Sequence, residues 1–350
     1  MLQNKILKSV LALLIMFTCL SGCSKQETKV DPKGMSYFDF FDTVSFIYSY
    51  TNDDMETFQK KCDKVADILE QYHKYFDIYY EYEGVNNLYT LNANAGIKAV
   101  EMDDELIEFL LKAKELYYLT NGKTNVMLGA VTKLWHDERT AATNNKADAK
   151  LPDFNLLSEA NKHVDIDLLV IDKENKTAFI SDPEARIDVG AYGKGYAAER
   201  AAEYLYDIKA YGYVLNIGGN IRTIGSKMDG SAWTTGIKDP ADLNRFALRI
   251  NIKDIACVTS GVYERYYTVD GKKYHHIVDP LTLYPAEYFD SVSILTKDSG
   301  LADGLSTAFA CMSYEEGMKL ADTLGVDVIW IFKDGTVKYT PNVENLIIGG

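Results

Sequence analysis

At 350 residues the chain is long enough for one large domain, or two merged ones, around a substantial core, and it contains no repeat and no low-complexity segment. Lysine and arginine number 37 against 51 aspartates and glutamates, a formal charge of −14 at pH 7. That balance argues against nucleic acid as a partner and leaves no basic patch to hold the chain on anionic lipid.

At the N-terminus, Lys5 and Lys8 precede an apolar run from Val10 to Leu20 that is too short to span a bilayer, and Leu20-Ser21-Gly22-Cys23 follows directly. Small residues ahead of a cysteine suit cleavage and diacylglycerol attachment to the thiol, so this segment is similar to a bacterial lipoprotein signal. Residues 1–22 are the expected signal, 23–35 a lipidated Cys23 with a flexible polar tether, and 36–350 the folded domain. The expected location is the extracytoplasmic face of the cell membrane, held by the lipid anchor.

From Asp53 to Asp77 apolar residues recur at Met55, Phe58, Cys62, Val65, Leu69, Tyr72 and Phe76, steps of three and four that predict an amphipathic helix with Asn52 as its cap. A second helix is expected from Asp103 to Thr120, burying Leu106, Phe109, Leu110, Ala113 and Leu116 and ending at Asn121-Gly122. Ala141 to Asp153 is polar and reads as an exposed loop. Beyond it the pattern predicts strands at 177–180, 186–189, 213–217, 233–237, 246–252 and 255–258. Tyr266 to Val269 and Lys272 to Val278 flank Asp270-Gly271, a pair suited to the positive φ angles of a type I′ hairpin turn. Helices at 301–312 and 314–324 precede a last buried strand, 326–332. Strands joined by turns and helices in pairs indicate an α+β fold, a largely antiparallel sheet with flanking helices. Cys62, Cys257 and Cys311 each fall in an apolar periodic segment and are expected to be buried thiols, with neither a disulfide framework nor a zinc site.

Three segments concentrate polar chemistry. In Asp188-Val189-Gly190-Ala191-Tyr192-Gly193-Lys194-Gly195, glycines ahead of a helix with a nearby Lys suit a phosphate, and suit equally a tight turn with a surface Lys. The spacing matches neither the Walker pattern nor the dinucleotide Gly-x-Gly-x-x-Gly. At the hairpin end, strand alternation sends His275 and His276 to opposite faces, so they are poorly placed to share a metal; one is a possible general base, or both are half-exposed strand residues. Asp303 and Thr307, four apart, share one helix face, where a carboxylate and a hydroxyl can meet one hard cation. The other reading of Asp303 is a helix N-terminal carboxylate complementing the dipole.

Taken in order, these segments resemble the ApbE family of FAD:protein FMN transferases. Ile187 to Ala197 resembles its Asp-x-Gly-x-x-x-Lys-Gly-Tyr-Ala element, and Asn216 to Arg222 its Asn-Ile-Gly-Gly-Asp/Asn run. Thr259-Ser260-Gly261 with Tyr263-Glu264-Arg265, His276 to Pro280, and Ala302-Asp303 through Thr307 complete the set. Phe41-Asp42-Thr43 and Lys123-Thr124-Asn125-Val126 are weaker matches. Asp42 stands where the family has Gly, Asn125 where it has an acid, Ser306 where some members have another acid, and Leu281-Thr282-Leu283 lacks the usual Thr-Gly.

The resemblance implies Mg²⁺-dependent transfer of FMN from FAD to a Thr or Ser hydroxyl of an exported acceptor protein, a subunit of a flavin-carrying electron-transfer system, with release of AMP. By the same resemblance Asp303, Thr307 and the Ala191 carbonyl would hold Mg²⁺, and Asp188, Lys194 and Val278 would contact FAD together with Phe41, Tyr82, Thr124 and Asn125. His276 is the candidate base for the acceptor hydroxyl. Hydrolysis of FAD to FMN and AMP, or flavin or solute capture without chemistry, are the alternatives.

Overall fold

Two adjacent positive-φ residues, Phe41 (55°) and Asp42 (52°), turn the chain back on itself between β1 (Lys33–Phe40) and β2 (Thr43–Ser49). The computed structural model describes residues 30–348, so the expected signal and Cys23 lie outside the described residues. Strand β1 begins at Lys33, inside the segment assigned from sequence to the tether. Gly34 and the polar Lys33, Ser36 and Asp39 interleave with Met35, Tyr37, Phe38 and Phe40, and half the residues stay exposed because it is the outermost strand of its sheet, so the apolar pattern is short and broken.

Helix α1 (Met55–Phe76) buries Phe58, Cys62, Val65, Leu69, Tyr72 and Phe76 as the periodicity predicts, while Met55 is exposed. Its cap is Asp54, which accepts from Thr57 N at 2.8 Å, and not Asn52. After α2 (Leu88–Ala93) and β3 (Val100–Glu101), α3 (Asp104–Leu119) ends at Asn121 and Gly122, both with positive φ. Helix α4 (Gly129–Asn144) runs into the expected loop because Ala142 is buried in a small core with Leu157 of α5 (Phe154–Ala160). Strands β4 (Leu169–Asp172) and β5 (Thr177–Ile180) form a small sheet with β3.

The expected strand at 186–189 is extended chain without a ladder. Asn92 occupies both backbone groups of Ile187, and Asp188 N donates to the Val126 carbonyl. Helix α6 (Gly193–Asp207) follows, then β6 (Tyr213–Ile217), β7 (Asn220–Ile224), β8 (Trp233–Asp239), β9 (Asp242–Ile252) and β10 (Ala256–Gly261). The hairpin of β11 (Tyr266–Val269) and β12 (Lys272–His275) turns at Asp270 and Gly271, φ 50° and 80°, as predicted, but its ladder stops at His275 rather than Val278. Strand β13 (Ser291–Thr296), α7 (Ser299–Ala310), α8 (Tyr314–Leu324), β14 (Asp327–Ile331) and β15 (Val337–Tyr339) complete the domain.

The main sheet has the order β1-β2-β6-β7-β10-β13-β14-β15 and every pairing in it is antiparallel, so the fold is α+β. One face packs against α1, α6 and α7 through Ile47, Leu215, Val258, Ile294 and Trp330. On the other face, Cys257, Leu295, Ile329 and Ile331 are covered by Ile237, Ile250 and Ile252 of the β8–β9 ribbon. Alternation along each strand feeds both cores, and each fully buried large side chain contributes about 1.5–3 kcal/mol. All three cysteines among the described residues are free and buried.

Candidate active site

Helices α6 and α7 approach closely at Gly195. A Cβ on Gly195 would collide with the Ser299 carbonyl and with Asp303 Cβ, so glycine is required here for close approach rather than for φ. The approach lets Gly195 N–H donate to Asp303 Oδ2 at 2.8 Å. Asp303 is 5% exposed, and burial pushes its carboxyl above the usual range against the opposing pull of Lys194 and the Gly195 N–H. This charge is under-compensated by the protein alone. Thr307, one turn along α7, is half-buried. The Ala191 carbonyl lies one turn ahead of Gly195 and receives no hydrogen bond from it, since that N–H is committed to Asp303. Among the described residues no three His, Cys, Asp or Glu side chains form a self-contained metal cage. A carboxylate, a hydroxyl and a carbonyl make a sparse set of hard oxygen donors, suited to a cation that keeps its other ligands from water or phosphate.

Most backbone donors of the glycine turn before α6 are already taken. Gly190 N donates to Asp188 Oδ1 (2.9 Å), Tyr192 N and Gly193 N to the Val189 carbonyl, and Gly195 N to Asp303, so these donors are spent internally. Lys194 supplies the positive charge instead. Its Nζ rests 3.2 Å from the Gly190 carbonyl, and its field reaches both Asp303 and His276. Asp188 is fixed from the other side by Thr132 Oγ1 at 2.8 Å.

The two histidines do different work. His275 is held at both nitrogens, Nε2 by the Ala286 carbonyl (2.8 Å) and Nδ1 by Ile277 N–H (3.3 Å). His276 N donates to the Arg265 carbonyl at 3.0 Å, and Nδ1 lies 3.2 Å from the same oxygen. A carbonyl only accepts, which assigns the proton to Nδ1 and leaves the Nε2 lone pair free. One side of the ring is open to solvent while protein surrounds the rest, as in a cleft. Burial first, then Lys194 and Arg265, hold the imidazole below its usual range, and its open side limits that shift.

Three residues that the sequence motifs do not include face the same mouth. Tyr79 Oη is 3.4 Å from His136 Nδ1 with the rings 5.4 Å apart, and Arg139 Nη2 is 3.1 Å from that nitrogen. Burial raises the Tyr79 hydroxyl, whose charged neighbours are Asp188, Arg139, Arg265 and Asp42. Arg139 is depressed by burial and then by Arg265. Their convergence depends on α4 packing against β11, where Trp135 meets Tyr267, and no spacing in the chain announces it.

Of the residues singled out from sequence, Asp188, Lys194, His276 and Asp303 come together. Thr124 is buried and its hydroxyl donates to the Gly304 carbonyl (2.6 Å), tying the segment before α4 to α7 next to Asp303. Asn125 braces backbone on both sides, at Val164 O and Met127 N. The Val278 side chain points into the small core with Trp135 and Tyr267, leaving only its backbone to meet a ligand. Phe41 and Tyr82 gather around His73: Phe41 N donates to His73 Nδ1 (3.2 Å), and the Tyr82 hydroxyl donates to Asp77 (2.8 Å).

Comparison with known proteins matches residues 42–330 to the model of the ApbE family. A FAD:protein FMN transferase of Treponema pallidum (strain Nichols) is 33% identical over 276 residues, covering 74% of this chain and 74% of the relative. Another, from Vibrio cholerae, is 28% identical over 337 residues, covering 95% and 97%. Among solved structures, the ApbE protein of Thermotoga maritima has a TM-score of 0.81 at 25% identity, covering 91% of this chain and 100% of its own. The flavin transferase ApbE of Vibrio cholerae has a TM-score of 0.74 at 25% identity, covering 91% and 99%.

Proposed function

This chain belongs to the ApbE family, and from that premise we propose that it moves FMN from FAD to a Ser or Thr hydroxyl of an acceptor protein, releasing AMP. The observation that carries the reading is one mouth holding a neutral imidazole with a free Nε2 beside a lysine that also faces a buried, under-compensated carboxylate. His276 Nε2 takes the acceptor hydroxyl proton, and the oxygen bonds to the FMN-side phosphorus of the diphosphate as its bond to the AMP phosphate breaks. AMP leaves with that electron pair. Lys194 offsets the charge developing on the phosphoryl oxygens, and Arg139 and Arg265 are further cations at the mouth beside Asp188 and Asp42.

Asp303, Thr307 and the Ala191 carbonyl fit Mg²⁺, since each offers a hard oxygen and the carboxylate lacks a full protein partner. When bound, Mg²⁺ supplies positive charge to the diphosphate. FAD contacts are assigned to Asp188, Lys194 and the Val278 backbone, with Tyr79 at the rim. Phe41, Tyr82, Thr124 and Asn125 are assigned to shaping the site's walls. The domain is placed outside the cytoplasmic membrane on a lipid at Cys23, after removal of residues 1–22, where it meets an exported subunit of an electron-transfer system. The sequence Leu20-Ser21-Gly22-Cys23 supports this, and among the described residues no helix is long and apolar enough to cross a membrane.

The test incubates the domain with FAD, Mg²⁺ and an exported protein carrying a Thr-containing acceptor segment, and reads intact mass. The expected result is an FMN adduct on the acceptor with one AMP per adduct. Free FMN and AMP without adduct would instead show water in the acceptor's place, which the open side of His276 admits. FAD bound but unchanged would reduce the protein to a flavin carrier.

A further inference from the structure

The cation donors come from two separate helices, with Ala191 ahead of α6 and Asp303 and Thr307 on α7, so the axial register between the helices sets whether the donors converge. Glycines line the crossing: Gly195 excludes any Cβ, and a Cβ on Gly300 would sit 3.2 Å from Tyr196 Cα. Helices lock against sliding when side-chain ridges enter grooves, and glycine at these two positions takes ridges away there, so the polar side chains that do cross carry more of the register.

We infer that Glu199 and Arg222 are positioning residues that set this register and through it the affinity for the divalent cation; the inference rests on the metal reading above. Glu199 lies one turn beyond Gly195, and its Oε2 accepts from Ser299 N at 2.7 Å, a first-turn α7 donor with no partner inside its own helix. Arg222 on β7 grips the same carboxylate with two bonds, Nε to Oε2 (2.9 Å) and Nη2 to Oε1 (3.1 Å), and anchors back to the sheet through the Thr223 carbonyl at 2.8 Å. All three groups are buried. Gly195 and Glu199 are four apart on α6, and Ser299, Asp303 and Thr307 follow at steps of four on α7, while Ala191 lies in the turn just ahead of α6. Glu199 to Ser299 and Gly195 to Asp303 are closed rungs; the same antiparallel step leads next to the Ala191 turn and Thr307, where the metal reading puts the cation. The latch is two turns from that point and touches neither substrate nor cation.

The experiment titrates Mn²⁺ into the full domain and counts free Mn²⁺ by electron paramagnetic resonance, alongside thermal unfolding without metal. Glu199→Asp keeps the buried charge opposite Arg222 but shortens the reach to Ser299, and Glu199→Gln keeps the reach but loses the charge. Expected is Mn²⁺ binding about tenfold weaker or more in the Asp variant, the scale on which residues that orient metal ligands act. In turnover, half-saturation by Mg²⁺ rises more than kcat falls. Mn²⁺ affinity equal to the parent in both variants, whatever their thermal midpoints, overturns the inference and leaves the pair a purely structural tie. If the parent and Asp303→Ala bind Mn²⁺ alike, the metal reading itself fails.

Discussion

His276 illustrates how one backbone oxygen decides a side chain's chemistry. By taking the Nδ1 proton, the Arg265 carbonyl leaves Nε2 as the open base, while His275 next to it is satisfied at both nitrogens. Since burial, Lys194 and Arg265 hold His276 below its ordinary 6.5, it stays neutral and competent at mildly acidic pH. The acid limb of kcat/KM is therefore expected below that value, and His276→Ala should slow transfer by about 10²–10⁴-fold and abolish the limb. A pH–rate profile of both proteins checks this. Stability moves with the same sign: as pH falls through 6.5 the unfolded chain takes up a proton that the folded one resists, so the folded state loses ground there. The two histidines make separate contacts, and which of them faces the mouth is fixed by the Ala286 and Arg265 carbonyls, each eleven residues away, Arg265 on the opposite arm of the same hairpin.

Among the elements, the crossing of α6 and α7 matters most for the chemistry. A methyl group at Gly195 has no space, so Gly195→Ala must push the helices apart, costing about 1–3 kcal/mol by overpacking. It should also remove transfer by breaking the Gly195-to-Asp303 bond geometry; urea unfolding and adduct yield measure the two losses separately. The four-residue step from Asp303 to Thr307 was readable because helix period alone puts both on one face. The partner helix was readable as a helix, but its contact with α7 was not, since Glu199 looks like any acid on an alanine-rich helix until the fold brings Ser299 to it. Helices α1, α3 and α8 announce themselves by apolar period, whereas that of β1, an edge strand, is short and broken, and residues 186–189 read as a strand because periodicity cannot show that Asn92 takes the ladder bonds.

Across the whole molecule, the cations Lys194, Arg139 and Arg265 gather at a mouth that also holds Asp188, Asp42 and Asp303, within a chain of formal charge −14. Attraction for a diphosphate must then be local, from Lys194, Arg139 and Arg265, while the global field opposes approach of an anion. Raising salt screens both, but the long-range repulsion is screened first. FAD association is accordingly expected to speed up with moderate ionic strength in the parent, and Arg265→Ala should weaken equilibrium binding while keeping that acceleration. Stopped-flow flavin fluorescence across a salt series is the measurement.

The β8–β9 ribbon covers the sheet face opposite α6 and α7, so the sheet stands between its inner residues Ile237, Ile250 and Ile252 and those helices, and its tip at Asp239–Asp242 reaches the surface. That insulation makes the tip a natural attachment point. A fluorophore or fusion partner grafted there would report on where the enzyme is and what it meets, without entering the chemistry on the far side.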